Sequence, residues 1–176
     1  DKNTKNIENL DSVGYIYLQK PLESLIFVYP YNGIDKEISD KNYNFDIKNL
    51  VGKSGLNNIM TYEQSSTPTA RYNFKFKHNM ENIFNEKNIS KYSSKISYII
   101  DQIFNSDGPV IVYSQFIDGG LIPVALALES RGFRRYGDNY SLFAKQDTEE
   151  LDINTYKLRS DALNSGTKFK TAKYIM

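Results

Sequence analysis

Gly52-Lys53-Ser54 has the ending of a phosphate-binding loop, in which backbone N–H groups and a lysine hold a polyphosphate. That loop needs a glycine five residues before its Gly-Lys pair, and Ile47 stands there. The segment therefore reads as a turn entering a short helix. A second group is Ser114-Gln115-Phe116, followed closely by Gly119-Gly120. Ser114 and Gln115 can hydrogen-bond phosphate or sugar oxygens, and a glycine pair at a helix start offers backbone N–H groups to an anion. Such contacts position a nucleic-acid strand without reading its bases. The plainer account is that Ser114 and Gln115 satisfy the turn while Phe116 packs in the core. Arg131, Arg134 and Arg135 form the densest basic cluster. Guanidinium groups suit bidentate phosphate contact, but positive charge near a helix C-terminus also complements the helix dipole.

Other groupings carry less. Lys75, Lys77 and Lys87 interleave with Phe74, Phe76 and Phe84, which suits either a single-strand-binding surface or an amphipathic strand followed by a helix. His78 is the only histidine and reads as a surface residue. Asp118 has no matched acid or base nearby in sequence and is assigned no chemistry.

The composition narrows the classes further. Without cysteine there are no disulfides, zinc thiolates or cysteine nucleophiles, and one histidine leaves no multi-histidine metal site. Twenty-two basic residues against 21 acidic ones give a net charge of +1, so any anion site must be local. No apolar run approaches the roughly 18 residues of a membrane span, and no signal peptide is recognised. An intracellular soluble protein is the expectation. A chain of 176 residues suits one domain or one domain with an extension. The bias towards Asn, Lys, Ile and Tyr reflects base composition more simply than function.

The elements that must position these residues follow from pattern. Asp1 to Ser12 is polar and expected to fray. Val13 to Leu18 and Leu25 to Tyr29 are short, β-branched and aromatic runs expected as strands. Asn32-Gly33 signals a turn, Asp35 to Asp46 a charged loop, and Gln64 to Ala70 a linker. Leu50 to Met60 suggests a short helix. Tyr72, Phe74 and Phe76 alternate with polar residues as in a half-buried strand. Ser90 is a candidate N-cap for a helix whose stripe is Ile96, Ile99, Ile100, Ile103 and Phe104, stopped by Gly108-Pro109. Val110 to Tyr113 is continuously apolar, the pattern of a strand buried on both faces of a parallel sheet. Gly119-Gly120 then opens a helix with Leu121, Val124, Ala125 and Leu128 on its inner face, and Gly132 suits a left-handed C-cap. Phe133 to Ala172 is polar with little periodicity, although Tyr140 to Phe143 suits a short strand. Lys173 to Met176 resembles the opening of another strand, which points to a fragment of a larger protein.

Gly108 to Phe116 resembles helicase motif IV, the first strand of a second RecA-like lobe. With Ile117 to Glu129 and Lys91-Tyr92-Ser93-Ser94-Lys95, it is similar to the superfamily 2 helicases of large nucleocytoplasmic DNA viruses. These are the mimivirus-type enzymes related to poxvirus early transcription factor and nucleoside triphosphatase subunits. The likeness extends to Pro21-Leu22-Glu23-Ser24, Gly52-Lys53-Ser54-Gly55-Leu56 and Ala172 to Met176, and is most specific over Lys91 to Gly137. The fold it implies is α/β: a partial RecA-like (Rossmann-like) parallel sheet with flanking helices and an N-terminal α+β extension. Residues 1–89 would be the extension or start of the second lobe, and 90–176 its incomplete core with an insertion at 133–172. The resemblance implies nucleic-acid backbone contact through Ser114, Gln115, Phe116, Gly119, Gly120, Arg134 and Arg135. It implies no catalytic or metal-binding residue here. ATP and Mg²⁺ would belong to the full-length parent, which would supply the Walker motifs and arginine finger that this chain lacks. Implied partners are nucleic acid, the parent's N-terminal helicase lobe and a viral RNA polymerase, with no membrane. The implied location is the virion or the infected cell's cytoplasm.

Two other classes compete. A non-catalytic interaction module of a viral transcription complex would dock its partner through Phe133 to Ala172. A small glycosyl- or methyltransferase would suit the strand, Gly turn and helix, but the chain holds no G-x-G-x-x-G fingerprint or acid pair.

Overall fold

Gly52, Gly55, Leu56 and Ile59 recur a helical turn apart, and in the computed structural model they form the buried face of helix α1 (Gly52–Ile59). The structure describes residues 17–31, 46–62, 73–137, 141–166 and 168–176. A 3-10 turn, Ile47–Leu50, leads into α1 and is capped by Asp46, whose carboxylate accepts from the Lys48 N–H at 3.0 Å. Strand β1 (Met60–Tyr62) follows directly and pairs antiparallel with β2 (Phe74–Phe76). The expected strand around Phe74 and Phe76 is thus present. Phe74 also donates its N–H to the Leu142 carbonyl at 2.7 Å, which ties residues 142–144 alongside β2.

A short helix, α2 (Ile89–Tyr92), precedes α3 (Ser94–Phe104). The cap of α3 is Ser93, not Ser90: the Ser93 hydroxyl oxygen accepts from the Ile96 N–H at 2.9 Å and also donates to the Ile26 carbonyl. Ser90 lies one turn too early, inside α2. The apolar stripe is as expected, with Ile96 and Ile100 buried. A single π turn, Ile117–Leu121, opens α4 (Ile122–Ser130). Pro123 has no N–H to continue the ladder from the π turn, and the Asp118 carbonyl five residues before it accepts from the Tyr29 hydroxyl instead. Every residue from Ile122 to Glu129 is buried, so α4 is central and not one-faced. Gly132 ends it at φ +97°, as the left-handed cap required.

Strand β3 (Arg134–Arg135) pairs parallel with β4 (Lys173–Tyr174). Between them, the described residues of 133–172 make more backbone and side-chain bonds than their pattern suggests. Leu151 bonds Gly132 and Ala172 through its backbone, Ile153 bonds Lys170, and α5 (Arg159–Asn164) packs Ala162 inward. The organiser is Asp152, whose carboxylate accepts from the N–H groups of Lys170, Thr155 and Asn154 and from the Thr155 hydroxyl. Side-chain-to-backbone bonds of this kind leave no periodic trace in sequence.

Three expected strands differ: Val13 to Leu18 in its described residues, Leu25 to Tyr29 and Val110 to Tyr113. Phe27 and Tyr29 are buried as a strand face would be, but Val28 and Tyr29 bond to the Tyr92 and Leu50 carbonyls at helix ends, and residues 17–24 are helical. Val110 to Tyr113 is not a buried strand: Ile111 is 95% exposed, Tyr113 is 89% exposed, and no backbone hydrogen bond reaches the segment among the described residues. An apolar run reports what its side chains favour, not whether a sheet edge is in reach. The expectations for Asp1 to Ser12, Val13 to Ile16, Asn32-Gly33, Asp35 to Phe45, Gln64 to Ala70, Tyr72 and Tyr140 lie outside the described residues.

The described residues therefore form a mixed α/β fold with two small two-stranded sheets. One hydrophobic cluster runs from Phe27 and Leu56 through Ile96 and Leu126 to Leu151 and Ala172. Residues before and after position 90 share it.

Candidate nucleic-acid interface

Phe116 anchors the turn that joins residues 110–115 to α4. Its side chain is buried, its N–H bonds the Ser114 Oγ at 3.1 Å, and its carbonyl accepts from the Leu121 N–H at 3.1 Å, closing the π turn. Both glycines of the turn are required by close neighbours. A Cβ on Gly120 would collide with the Ser114 side chain, and one on Gly119 would lie 2.6 Å from Glu23. Glu23 is buried, paired with Lys20 at 2.9 Å, and also abuts Gly52, where a Cβ would lie 2.5 Å from its Oε1. Tyr29 closes the cluster by donating its hydroxyl to the Asp118 carbonyl at 2.5 Å. Burial pushes this phenol well above the ordinary tyrosine range, and the carboxylates of Asp118 and Glu23 push it further. It stays a neutral donor at physiological pH.

Three sequence segments far apart in the chain therefore meet at Glu23: 21–24, 52–56 and 114–120. Glu23 also lies beside Gly52-Lys53-Ser54. Its carboxylate lies against the first residue of α1, where the helix dipole favours negative charge, so a phosphate would have to displace it.

The proposed contact residues fall into two sets. Ser114, Gln115, Phe116, Gly119 and Gly120 share the turn, but Phe116, Gly119 and Gly120 are buried and the Ser114 oxygen serves the Phe116 N–H. Gln115 is exposed and its amide makes no side-chain hydrogen bond among the described residues. Arg134 and Arg135 stand on β3, beyond the far end of α4, a helix of nine residues or roughly 13 Å. Arg134 donates to the carbonyls of Phe133 and Thr148 at 3.1 and 2.5 Å, and Arg135 to that of Met176 at 3.1 Å. Arg131 lies over the Phe104 ring at 4.4 Å and 3.4 Å from Glu86. Phe74 and Phe84 are buried and Phe76 packs on Phe84, so these rings do not form a stacking surface beside Lys75 and Lys77.

Glu129 is a second buried carboxylate that sequence reasoning passed over. It accepts from the Ser141 hydroxyl (2.6 Å), the Leu142 and Phe143 N–H groups (2.8 and 3.1 Å), the Gln146 amide (2.9 Å) and the Tyr174 hydroxyl (2.7 Å). Burial, then the Glu129 charge, keeps the Tyr174 phenol far above its usual range, so it too remains a donor. The available signal was an acidic residue directly after the apolar run Ile122 to Leu128.

No group of three or more His, Asp or Glu side chains is placed to hold a metal ion among the described residues. No helix among them is long and apolar enough to cross a membrane. Comparison with protein families, curated proteins and solved structures finds no match to this chain.

Proposed function

We propose that this chain supplies part of the second RecA-like lobe of an ATP-dependent helicase of the kind found in large nucleocytoplasmic DNA viruses. In this role it touches the nucleic-acid backbone and transmits motion, and ATP and Mg²⁺ are held elsewhere in the parent. The observation that carries the reading is the convergence on Glu23: three of the segments in which the family likeness is read, 21–24, 52–56 and 114–120, meet at one turn. A turn braced from two sides can present Gln115 to a phosphate or sugar oxygen in fixed geometry. The likeness itself rests on sequence, so the RecA-like sheet and the viral helicase assignment are part of the proposal.

The test is fluorescence anisotropy with labelled single-stranded and duplex DNA and RNA, titrated between about 50 and about 200 mM salt. Weak binding that falls with salt is expected. Gln115→Ala should weaken it several-fold with little change in salt slope, because the amide is uncharged. Arg134→Ala with Arg135→Ala should shallow the slope by about two if both guanidiniums meet phosphates. An unchanged slope would assign them to the carbonyls they bond in the structure. Affinity indifferent to salt and to all three substitutions would reject the interface.

A further inference from the structure

Residues paired across β3 and β4 share a face, and the face alternates with each step along a strand. Arg134 stands opposite Lys173, and Arg135 opposite Tyr174. The Tyr136 N–H donates to the Tyr174 carbonyl at 2.7 Å, so the ladder continues one residue past β3. Tyr136 therefore shares its face with Arg134 and Lys173. Arg135 lies on the other face with Tyr174, whose hydroxyl reaches Glu129. The Lys173 ammonium is 5.5 Å from the centre of the Tyr136 ring, in agreement with that placement.

Tyr136 is 65% exposed although its backbone is fixed in the ladder, so a large ring is held out in water. A Cβ on Gly137, the next residue, would meet nothing within 4 Å, so the space beside the ring is open. Neither Arg134 nor Lys173 pairs with a carboxylate among the described residues. Arg134 is held by the Phe133 and Thr148 carbonyls, which fix its position and leave its charge uncancelled. In a chain of net charge +1 this face is a local concentration of positive charge. Packing does not account for the ring, and ion pairing does not account for the charges.

We propose that Tyr136 is a stacking platform for an unpaired base of single-stranded nucleic acid, with Lys173 and Arg134 attracting the adjoining phosphates. Every base has a π face, so the contact tolerates any sequence. A base inside a duplex is already stacked and offers no face to the ring. Lys173 takes one side of the phenol and leaves the other for the base. An acidic peptide would meet the same cations, but the exposed ring beside them favours a ligand that alternates flat rings with phosphates. The proposal rests on the nucleic-acid reading above. It adds a preference for single strands and two residues, Tyr136 and Lys173, outside the contact set that the resemblance implies.

The test is fluorescence anisotropy on the full chain with a labelled oligothymidylate and a labelled duplex, beside ultraviolet crosslinking of an iodouracil-substituted single strand. Tyr136→Ala should weaken binding of the single strand roughly tenfold and of the duplex by less than about twofold. Tyr136→Phe should bind like the wild type, because stacking uses the ring and not the hydroxyl. Lys173→Ala should shallow the logarithmic salt dependence on the single strand by about 0.7. The crosslinked peptide of the wild type, located by mass spectrometry, should contain Tyr136, a readout that needs no variant to fold. Salt-sensitive binding that Tyr136→Ala leaves unchanged, with the crosslink elsewhere, would overturn the proposal and leave the general nucleic-acid reading standing. An equal loss on single strand and duplex would also overturn it, making Tyr136 a structural residue. Displacement of the oligonucleotide by polyglutamate at equal charge concentration would give the face to an acidic peptide instead. Absence of salt-sensitive binding to either nucleic acid would remove the nucleic-acid reading and this proposal with it.

Discussion

Glu129 shows how much one side chain can organise. Its carboxylate sits among apolar neighbours and takes five hydrogen bonds, two of them from backbone N–H groups that have left regular structure. Truncation to alanine would take the acceptor from the Leu142 N–H and the Tyr174 hydroxyl, while the Phe143 N–H would keep the Ser141 Oγ at 3.1 Å. Glu129→Ala should therefore lower stability by about 3 kcal/mol or more, read from urea unfolding. Glu129→Gln should fall between, since it keeps the volume but presents an NH₂ to some of the donors. Gly132 makes a smaller, steric case. At φ +97°, and with a Cβ position only 2.5 Å from the Glu149 carbonyl, Gly132→Ala should cost about 1–3 kcal/mol in the same measurement.

At the scale of elements, the 150–172 segment is held by side-chain bonds to backbone, and this makes it acid-sensitive. Hydrogen bonding, first from the Lys170 N–H and then from Thr155 and Asn154, holds the Asp152 carboxyl below the usual aspartate range against the opposing effect of desolvation. A carboxyl depressed on folding stabilises the fold above its unfolded pKa of about 3.9, and that contribution is lost as pH falls through the lower folded value. Thermal unfolding should therefore show little change from this group between about pH 5 and about pH 7 and a loss of stability below about pH 4. Asp152→Asn should be less stable than the wild type at neutral pH and should flatten the acid limb. An identical acid limb in the variant would assign the sensitivity to other carboxyls. Elements with a helical period were legible in advance: the stripe of α3, the start of α1 and the cap of α4 all follow from spacing. The cap of α3 was legible only to within a turn, because Ser90 and Ser93 are chemically alike and only tertiary contact with Ile26 selects the second.

At the scale of the molecule, salt-dependent binding of nucleic acid is the property to measure. The sequence by itself determined the classes of chemistry: no thiol, no multi-histidine metal site, no complete phosphate loop, and a polar turn with paired glycines. It also determined the stripe of α3, since a buried stripe must repeat with the turn of a helix and that repeat is written locally. Tertiary structure alone decided which residues meet. Glu23, Gly52 and Gly119 are separated by long stretches of chain, and nothing local records that one carboxylate braces two glycines. Nor does local pattern record that Arg134 and Arg135 bond carbonyls across from β3. The run at 110–113 marks the limit between the two. Its apolar, β-branched character favours a strand, yet among the described residues it makes no backbone hydrogen bond and leaves Ile111 and Tyr113 exposed, because a strand also needs a partner edge that local pattern does not supply.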